Sequence, residues 1–414
     1  MPKKNFWEEI SRMSNIPKLR FPEFKGEWEE KKLGTICESP MYGLNSAGID
    51  FDGVHKYLRI TDIDEVTHTY SPEEFTTPSE FNDEYLLHKN DIVFARTGAS
   101  TGKSYLYNSN DGDLYFAGFL IKFHIKEANS KFVFYQTLTH RYSRWVHVMS
   151  TRSGQPGINS EEYSSFNIQL PSIQEQQKIA DFLSNVDSII TAETKILNTL
   201  QKKKKALMQK LFTRQLRFKS DDGTDFPAWE EKKLGEISSS PKYGLNASGI
   251  DYDGEHKYLR ITDIDEVTHT FSPEEITTPS EFSDDYLLEE NDIVFARTGA
   301  STGKTYLYNP NDGDLYFAGF LIKFHIKDAN ARFVFYQTCT PEYEKWVHVM
   351  STRSGQPGIN SEEYSTLKIQ LPCIEEQQKI ADCLSSMDSL IQNQQKVVTT
   401  WQQRKKALLQ QMFI

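Results

Sequence analysis

Residues 168–190 read IQLPSIQEQQKIADFLSNVDSII, and residues 369–391 read IQLPCIEEQQKIADCLSSMDSLI. Each stretch runs from a strand-like segment, through a proline, into a segment whose apolar residues recur at steps of four and three. In the first copy this seam is Ile179, Leu183, Val186, Ile190, Leu197, Leu200, Leu207 and Leu211, interrupted only at Glu193 and Lys204. In the second it is Ile380, Leu384, Met387, Ile391, Val398, Trp401, Leu408 and Met412, interrupted at Gln394 and Lys405. A seam kept for several heptads predicts a coiled-coil helix. At 1.5 Å per residue each helix, 172–213 and 373–414, would be about 60 Å long. Ser172 and Glu175 offer a capping box at the first helix start, which Cys373 removes from the second. Two seams of equal length predict that the helices pack on each other antiparallel, with a globular domain at either end.

Working outward, the whole chain proves to be a duplication. With an offset of 201, Trp28–Thr213 aligns without gaps onto Trp229–Ile414, at about 75% identity. WVHVMSTRSGQPGINSEEYS is identical at 145–164 and 346–365, and NDIVFARTGASTGK at 90–103 and 291–304. The period is too long and the copies too few for a solenoid. Ahead of each helix lies a region rich in aromatic, glycine and β-branched residues, as a sheet-containing domain requires. YLRITDI, DIVFAR, LYFAGFLIKFHI and FNIQLP read as strands, and KFVFYQTLTHRYSRWVHVM as one helix. The boundaries that follow are an N-terminal segment 1–18, a domain 19–171, a helix 172–213, a second domain 214–372 and a helix 373–414. The fold class is α+β, with an internal pseudo-two-fold repeat.

Bulk properties narrow the function. A chain of 414 residues exceeds one ordinary core. No run of eighteen apolar residues suggests a membrane span, and the start MPKKNFWEEISRM lacks the apolar run of a secretory signal. Cys37, Cys339, Cys373 and Cys383 form no CxxC pair, and read as reduced thiols of a cytoplasmic protein. His55, His68, His124 and His147 are not at metal-ligand spacing, so no metal is expected. A net charge of −11 argues against a chain that coats nucleic acid unaided, because nonspecific binding rests on neutralised phosphates. A DNA reader with this balance must concentrate its positive charge locally or borrow it.

Three polar loops, each present twice, are candidates for contact with DNA. GASTGKS (98–104) resembles a phosphate-binding P-loop but has three residues between its glycines where four are needed. Arg96, Thr97, Ser100, Thr101 and Lys103, repeated as Arg297, Thr298, Ser301, Thr302 and Lys304, still suit a phosphate or a base edge. The alternative is a tight turn that needs its glycines, with the arginine in an ordinary ion pair. STRSGQPG brings Arg152, Ser153 and Gln155, and again Arg353, Ser354 and Gln356. Arginine reads guanine and glutamine reads adenine through paired hydrogen bonds. YGLN contributes Tyr42 and Asn45, with Arg59 on the same face, and Tyr243, Asn246 and Arg260 in the second copy. No glycine-rich methyl-donor motif, no Asn/Asp-Pro-Pro-aromatic motif and no Asp…Glu-x-Lys nuclease pattern occurs, so no catalytic residue is assigned.

In this order and twice over, WEEKKLGTI and WEEKKLGEI, DIVFARTGASTGK, STRSGQPG, the two IQLP…EQQKIAD junctions and the endings KKKKALMQKLF and RKKALLQQMF resemble the specificity subunit of type I restriction–modification enzymes. The resemblance covers essentially the whole chain. It implies two target-recognition domains alternating with two long helices, and a non-catalytic subunit that recognises double-stranded DNA. It implies two methylation subunits, which would bind S-adenosylmethionine and methylate adenine, and two restriction subunits, which would use ATP and Mg. No cofactor is expected on this chain itself. A stand-alone DNA-binding regulator, a coiled-coil scaffold and a fused methyltransferase are the other readings. Because the two domains differ mostly by conservative swaps, such as Tyr70 to Phe271 and Ser104 to Thr305, like half-sites in inverted order are expected, about one helical turn apart.

Overall fold

The computed structural model describes residues 16–151, 157–352 and 358–414. Arg152, Ser153, Gln155, Arg353, Ser354 and Gln356 lie outside the described residues. The chain forms two compact units, one from the residues up to Thr194 together with Lys396–Ile414, the other from Lys195–Gln395. Both long helices are therefore divided between units.

In the first unit β1 (Glu29–Lys32) pairs antiparallel with β10 (Asn167–Leu170), so the recognition domain begins and ends on the same ribbon. Its central sheet is antiparallel, in the order β2 (Met41–Tyr42), β9 (Leu120–His124), β6 (Asp91–Ala95), β7 (Ser104–Leu106). A ribbon of β3 (Gly48–Asp50) with β5 (Thr76–Pro78) and a parallel pair of β4 (Lys56–Leu58) with β8 (Leu114–Phe116) complete it. All five residues of β6 are buried, as the continuous apolar run IVFA requires of a central strand. The second unit repeats this topology strand for strand, from β11 (Glu230–Lys233) to β20 (Lys368–Leu371).

Two sequence expectations change. LYFAGFLIKFHI is not one strand but β8 and β9, separated by a turn at Ala117–Gly118–Phe119 in which the Leu120 amide bonds back to Ala117. KFVFYQTLTHRYSRWVHVM is not one helix but α1 (Ser130–Gln136) and α2 (His140–Ser150). Thr137 returns its hydroxyl to the Phe134 carbonyl, and Thr139 caps α2 by accepting from the Tyr142 amide. Threonine side chains compete with the backbone ladder in this way, and here they win. YLRITDI likewise supplies only the end of β4 before a 3-10 turn at Ile60–Asp62. A short α3 (Ser160–Ser164), capped by Asn159, precedes β10.

The helices are α4 (Ile173–Phe212) and α8 (Ile374–Met412); the second domain's own short helices are α5 (Ala331–Gln337), α6 (Pro341–Ser351) and α7 (Ser361–Ser365). Within the first unit, Ile179, Ala180 and Leu183 of α4 share a core with Leu409 and Met412 of α8, and Asp187 meets Lys405 at 2.7 Å. One residue number rises as the other falls, so the segments run antiparallel. Within the second unit Ile380, Ala381 and Leu384 meet Met208 and Leu211, and Asp388 meets Lys204 at 2.5 Å. The two lysines that interrupt the seams thus have partners. The capping box at α4 forms by half: the Glu175 amide donates to Ser172 Oγ at 3.3 Å, but the Glu175 carboxylate is held by Arg20 at 2.8 Å through both oxygens. Glu376 does the same with Arg217, which explains why the second copy tolerates Cys373.

Candidate nucleic-acid interface

The β8–β9 turn and the YGLN loop build one wall of a cleft. Leu44 donates its amide to the Phe116 carbonyl at 2.8 Å, and Gly118 donates to the Leu44 carbonyl at 2.8 Å. The Tyr57 hydroxyl holds the same loop by its Leu44 carbonyl. The backbones approach so closely that a Cβ on Gly43 would stand 2.2 Å from the Ala117 carbonyl oxygen, so only glycine fits. Arg96 forms the other wall at the end of β6, where its amide bonds to the Phe119 carbonyl. The cleft, about 650 Å³, is lined among others by Tyr42, Asn45, Arg59, Arg96 and Phe119.

Three loops far apart in sequence converge here. The Arg96 guanidinium lies over the Tyr42 ring at 5.1 Å. Tyr42 Oη accepts from the Ser160 amide at 3.2 Å, at the start of α3. Thr97 bridges to Gly157, the described end of the third loop, and the Ile158 amide donates to the Arg96 carbonyl at 2.9 Å. The second unit repeats each relation: Arg297 over Tyr243 at 5.1 Å, the Ser361 amide to Tyr243 Oη at 3.1 Å, and Thr298 bridged to Gly358.

The candidates differ in what holds them. Among the described residues no carboxylate pairs with Arg96 or Arg297, and the buried Nε of Arg96 has no partner, while that of Arg297 donates to the Gly319 carbonyl. The carboxamides of Asn45 and Asn246 are exposed. Arg59 is bound at both ends of its guanidinium by buried Asp62 (3.0 and 2.8 Å), and Arg260 by Asp263 (2.9 and 2.8 Å). These pairs hold both guanidinium pKa values above the usual arginine value. Lys103 does not line the cleft: its ammonium is committed to the Ile63 carbonyl and Glu65, as that of Lys304 is to the Ile264 carbonyl and Glu266.

The GASTGK loop is a self-satisfied turn. The amides of Thr101, Gly102 and Lys103 donate to the carbonyls of Gly98, Ala95 and Ser100, and Thr101 Oγ1 donates to Gly98. Thr302 repeats that bond, and Ser301 accepts as Ser100 does. Amides turned inward cannot cradle a phosphate, so the P-loop likeness carries no nucleotide chemistry.

Sequence reasoning missed Phe119 and Phe320, which stand 60% and 59% exposed at the cleft. Reading LYFAGFLIKFHI as one strand hid the turn that expels them; the alanine–glycine step was the available signal. It also missed that Glu289, Asp292 and His325 converge. The Lys323 ammonium already occupies the Asp292 carboxylate at 3.1 Å, and His88 replaces Glu289 in the first copy, so the trio is an ion-pair network.

A duplicated sheet domain with a polar, aromatic cleft, interleaved with antiparallel helices and without an assembled catalytic group, defines a class of protein that recognises rather than transforms. The family model for the type I restriction modification DNA specificity domain matches twice, at residues 25–202 and 228–400. The chain belongs to that family and, as a specificity subunit, supplies DNA recognition rather than catalysis. It is 27% identical to the type I restriction enzyme MjaVIII specificity subunit of Methanocaldococcus jannaschii, over 94% of this chain and 92% of the relative. It is 23% identical to the putative MjaX specificity subunit of the same organism, over 95% of both chains. Its fold is similar to the crystal structure of the S subunit from M. genitalium, with a TM-score of 0.59 at 15% identity, over 96% of this chain and 99% of that one. Among the described residues no helix is long and apolar enough to cross a membrane.

Proposed function

We propose that each cleft reads one half-site of an interrupted palindrome in double-stranded DNA, and that the chain directs adenine methylation and restriction there from the cytoplasm. The observation that carries this is the near-identity of the two clefts. Of the residues lining the first, only Ser46 differs in the second copy, where Ala247 stands. Like clefts read like words, and duplex DNA offers two-fold axes between its strands. Arg96 and Arg297, with Asn45, Asn246 and the exposed phenylalanines, are the base-reading groups; Arg59, Arg260, Lys103 and Lys304 support the fold around them.

The less conservative exchanges fall away from base-reading positions. Met41 packs on the domain core, and Lys242 in its place donates to the Asp285 carbonyl. Two methylation subunits and two restriction subunits complete the assembly in this reading, and S-adenosylmethionine, ATP and Mg belong to them. Mapping methyladenine across the host genome, with and without this gene, tests it: loss of one interrupted palindromic motif is expected, and loss of a motif with two unrelated half-sites refutes the shared reading.

A further inference from the structure

The chain's acidity is concentrated in one part of each recognition domain. Residues 48–85 hold ten acidic and two basic side chains, a net −8, and residues 249–286 hold eleven and two, a net −9. These segments carry −17 of a total of −11, so the rest of the chain carries +6. Each segment contains the two-stranded ribbon, β3 with β5 in the first unit and β13 (Gly249–Asp251) with β15 (Thr277–Pro279) in the second. Every residue of β3 and β13 is exposed. Among the described residues no cation pairs with Asp50, Glu73, Glu74 or Glu80.

The same ribbons expose large apolar side chains. Ile49 is 50%, Phe75 46% and Phe81 48% exposed, and Ile250 and Phe282 are 50% and 49% exposed. Phe51 and Phe75 pack on each other, ring centroids 5.4 Å apart, yet neither is covered. Where the copies differ the chemistry persists: Phe51 becomes Tyr252, Phe75 becomes Ile276, and Glu84 becomes Asp285. Scattered exposed apolar residues are ordinary, but a cluster rimmed by one sign of charge marks an interaction surface. Phosphates cannot approach it without repulsion. Complementarity requires lysines and arginines around an apolar patch, which is a protein surface.

We propose that each acidic ribbon docks a basic, partly apolar surface of one methylation subunit, two per chain, and that docking removes repulsion that otherwise weakens DNA binding at the adjoining cleft. Gly48, Tyr57 and Arg59 belong both to the acidic segment and to the cleft wall, so charge on the ribbon acts on DNA at the cleft. The inference rests on the assembly reading above.

The test uses the full chain and its purified cognate methylation subunit. One variant combines Glu73→Lys, Glu74→Lys, Glu274→Lys and Glu275→Lys; a second combines Ile49→Ser and Ile250→Ser. Calorimetric titration is expected to show at least about tenfold weaker subunit binding for the first, with a flatter salt dependence. The second should weaken binding with the salt dependence unchanged. The charge-reversed chain alone should bind DNA more tightly than the parent chain. Unaltered subunit binding in both variants overturns the docking surface while leaving the assembly intact. A methylation subunit that fails to bind the parent chain overturns the assembly reading and this inference together. Altered sequence preference in the serine variant, with subunit binding unaltered, would make the ribbon a DNA contact and overturn the proposal.

Discussion

Arg96 and Lys103 stand seven positions apart in one motif, yet their surroundings give them opposite roles. Arg96 faces the cleft over an aromatic ring with no carboxylate to neutralise it, whereas Lys103 is 10% exposed and tied to a carbonyl. Replacing Arg96 and Arg297 by alanine should cost about 1–3 kcal/mol of discrimination between target and nontarget DNA. Competition binding with the assembled complex checks it, and the melting temperature should hold. Lys103→Ala should do the reverse, losing about 1 kcal/mol of stability in thermal unfolding with sequence preference kept. His68 gives a pH dependence. Burial, reinforced by Lys405 and Lys103, lowers its pKa against the hydrogen bond to the Ser104 carbonyl, and His269 repeats the arrangement. The folded state therefore binds fewer protons than the unfolded one. Stability is full above the unfolded pKa of about 6.5 and falls as pH drops below it. His68 has a φ of 55°, a conformation asparagine tolerates. Thermal unfolding between pH 5 and 8, each value an approximate bound, should show a decline at the acid end that His68→Asn with His269→Asn reduces.

At the scale of elements, the polar breaks in the helix seams carry register. Asp187 accepts from the Tyr135 hydroxyl at 2.7 Å and from Lys405, and Asp388 accepts from Tyr336 at 2.6 Å and from Lys204. Each carboxylate thus ties both helices to a recognition domain. A one-residue slip would strand the lysine beside apolar side chains, and a polar residue on a seam fixes register in this way. Asp187→Ala should destabilise the fold by about 1–3 kcal/mol, the range for leaving a partly buried polar group unmet. Adding Lys405→Met should recover part of that loss, and thermal unfolding of the single and double variants gives the coupling. Equal losses in single and double variants would show that the pair contributes nothing.

For the whole molecule, duplication governs what is recognised. Exchanging residues 19–171 for a second copy of 214–372, so that both clefts come from the second domain, should leave the methylated motif unchanged. Methyladenine mapping of a host carrying only that chain reads the result; a changed motif would show that the exchanges outside the clefts contribute to reading.

The sequence by itself determined the duplication, the extent of the long helices and the family, because these rest on periodicity and repetition that one dimension preserves. Ile179 to Leu211 could be read as a seam since burial at steps of four and three has no other economical cause. It also singled out Tyr42, Asn45 and Arg96 from residue type and loop composition. Only the tertiary structure decided that these residues, more than fifty positions apart, share one cleft with the end of the third loop. Only it separated Arg96 from Arg59, since a buried carboxylate three residues further on claims one guanidinium and not the other. The exposure of Phe119 and the partners of Lys204 and Lys405 were invisible for the same reason: each depends on a neighbour brought close by folding, and sequence spacing does not encode that distance.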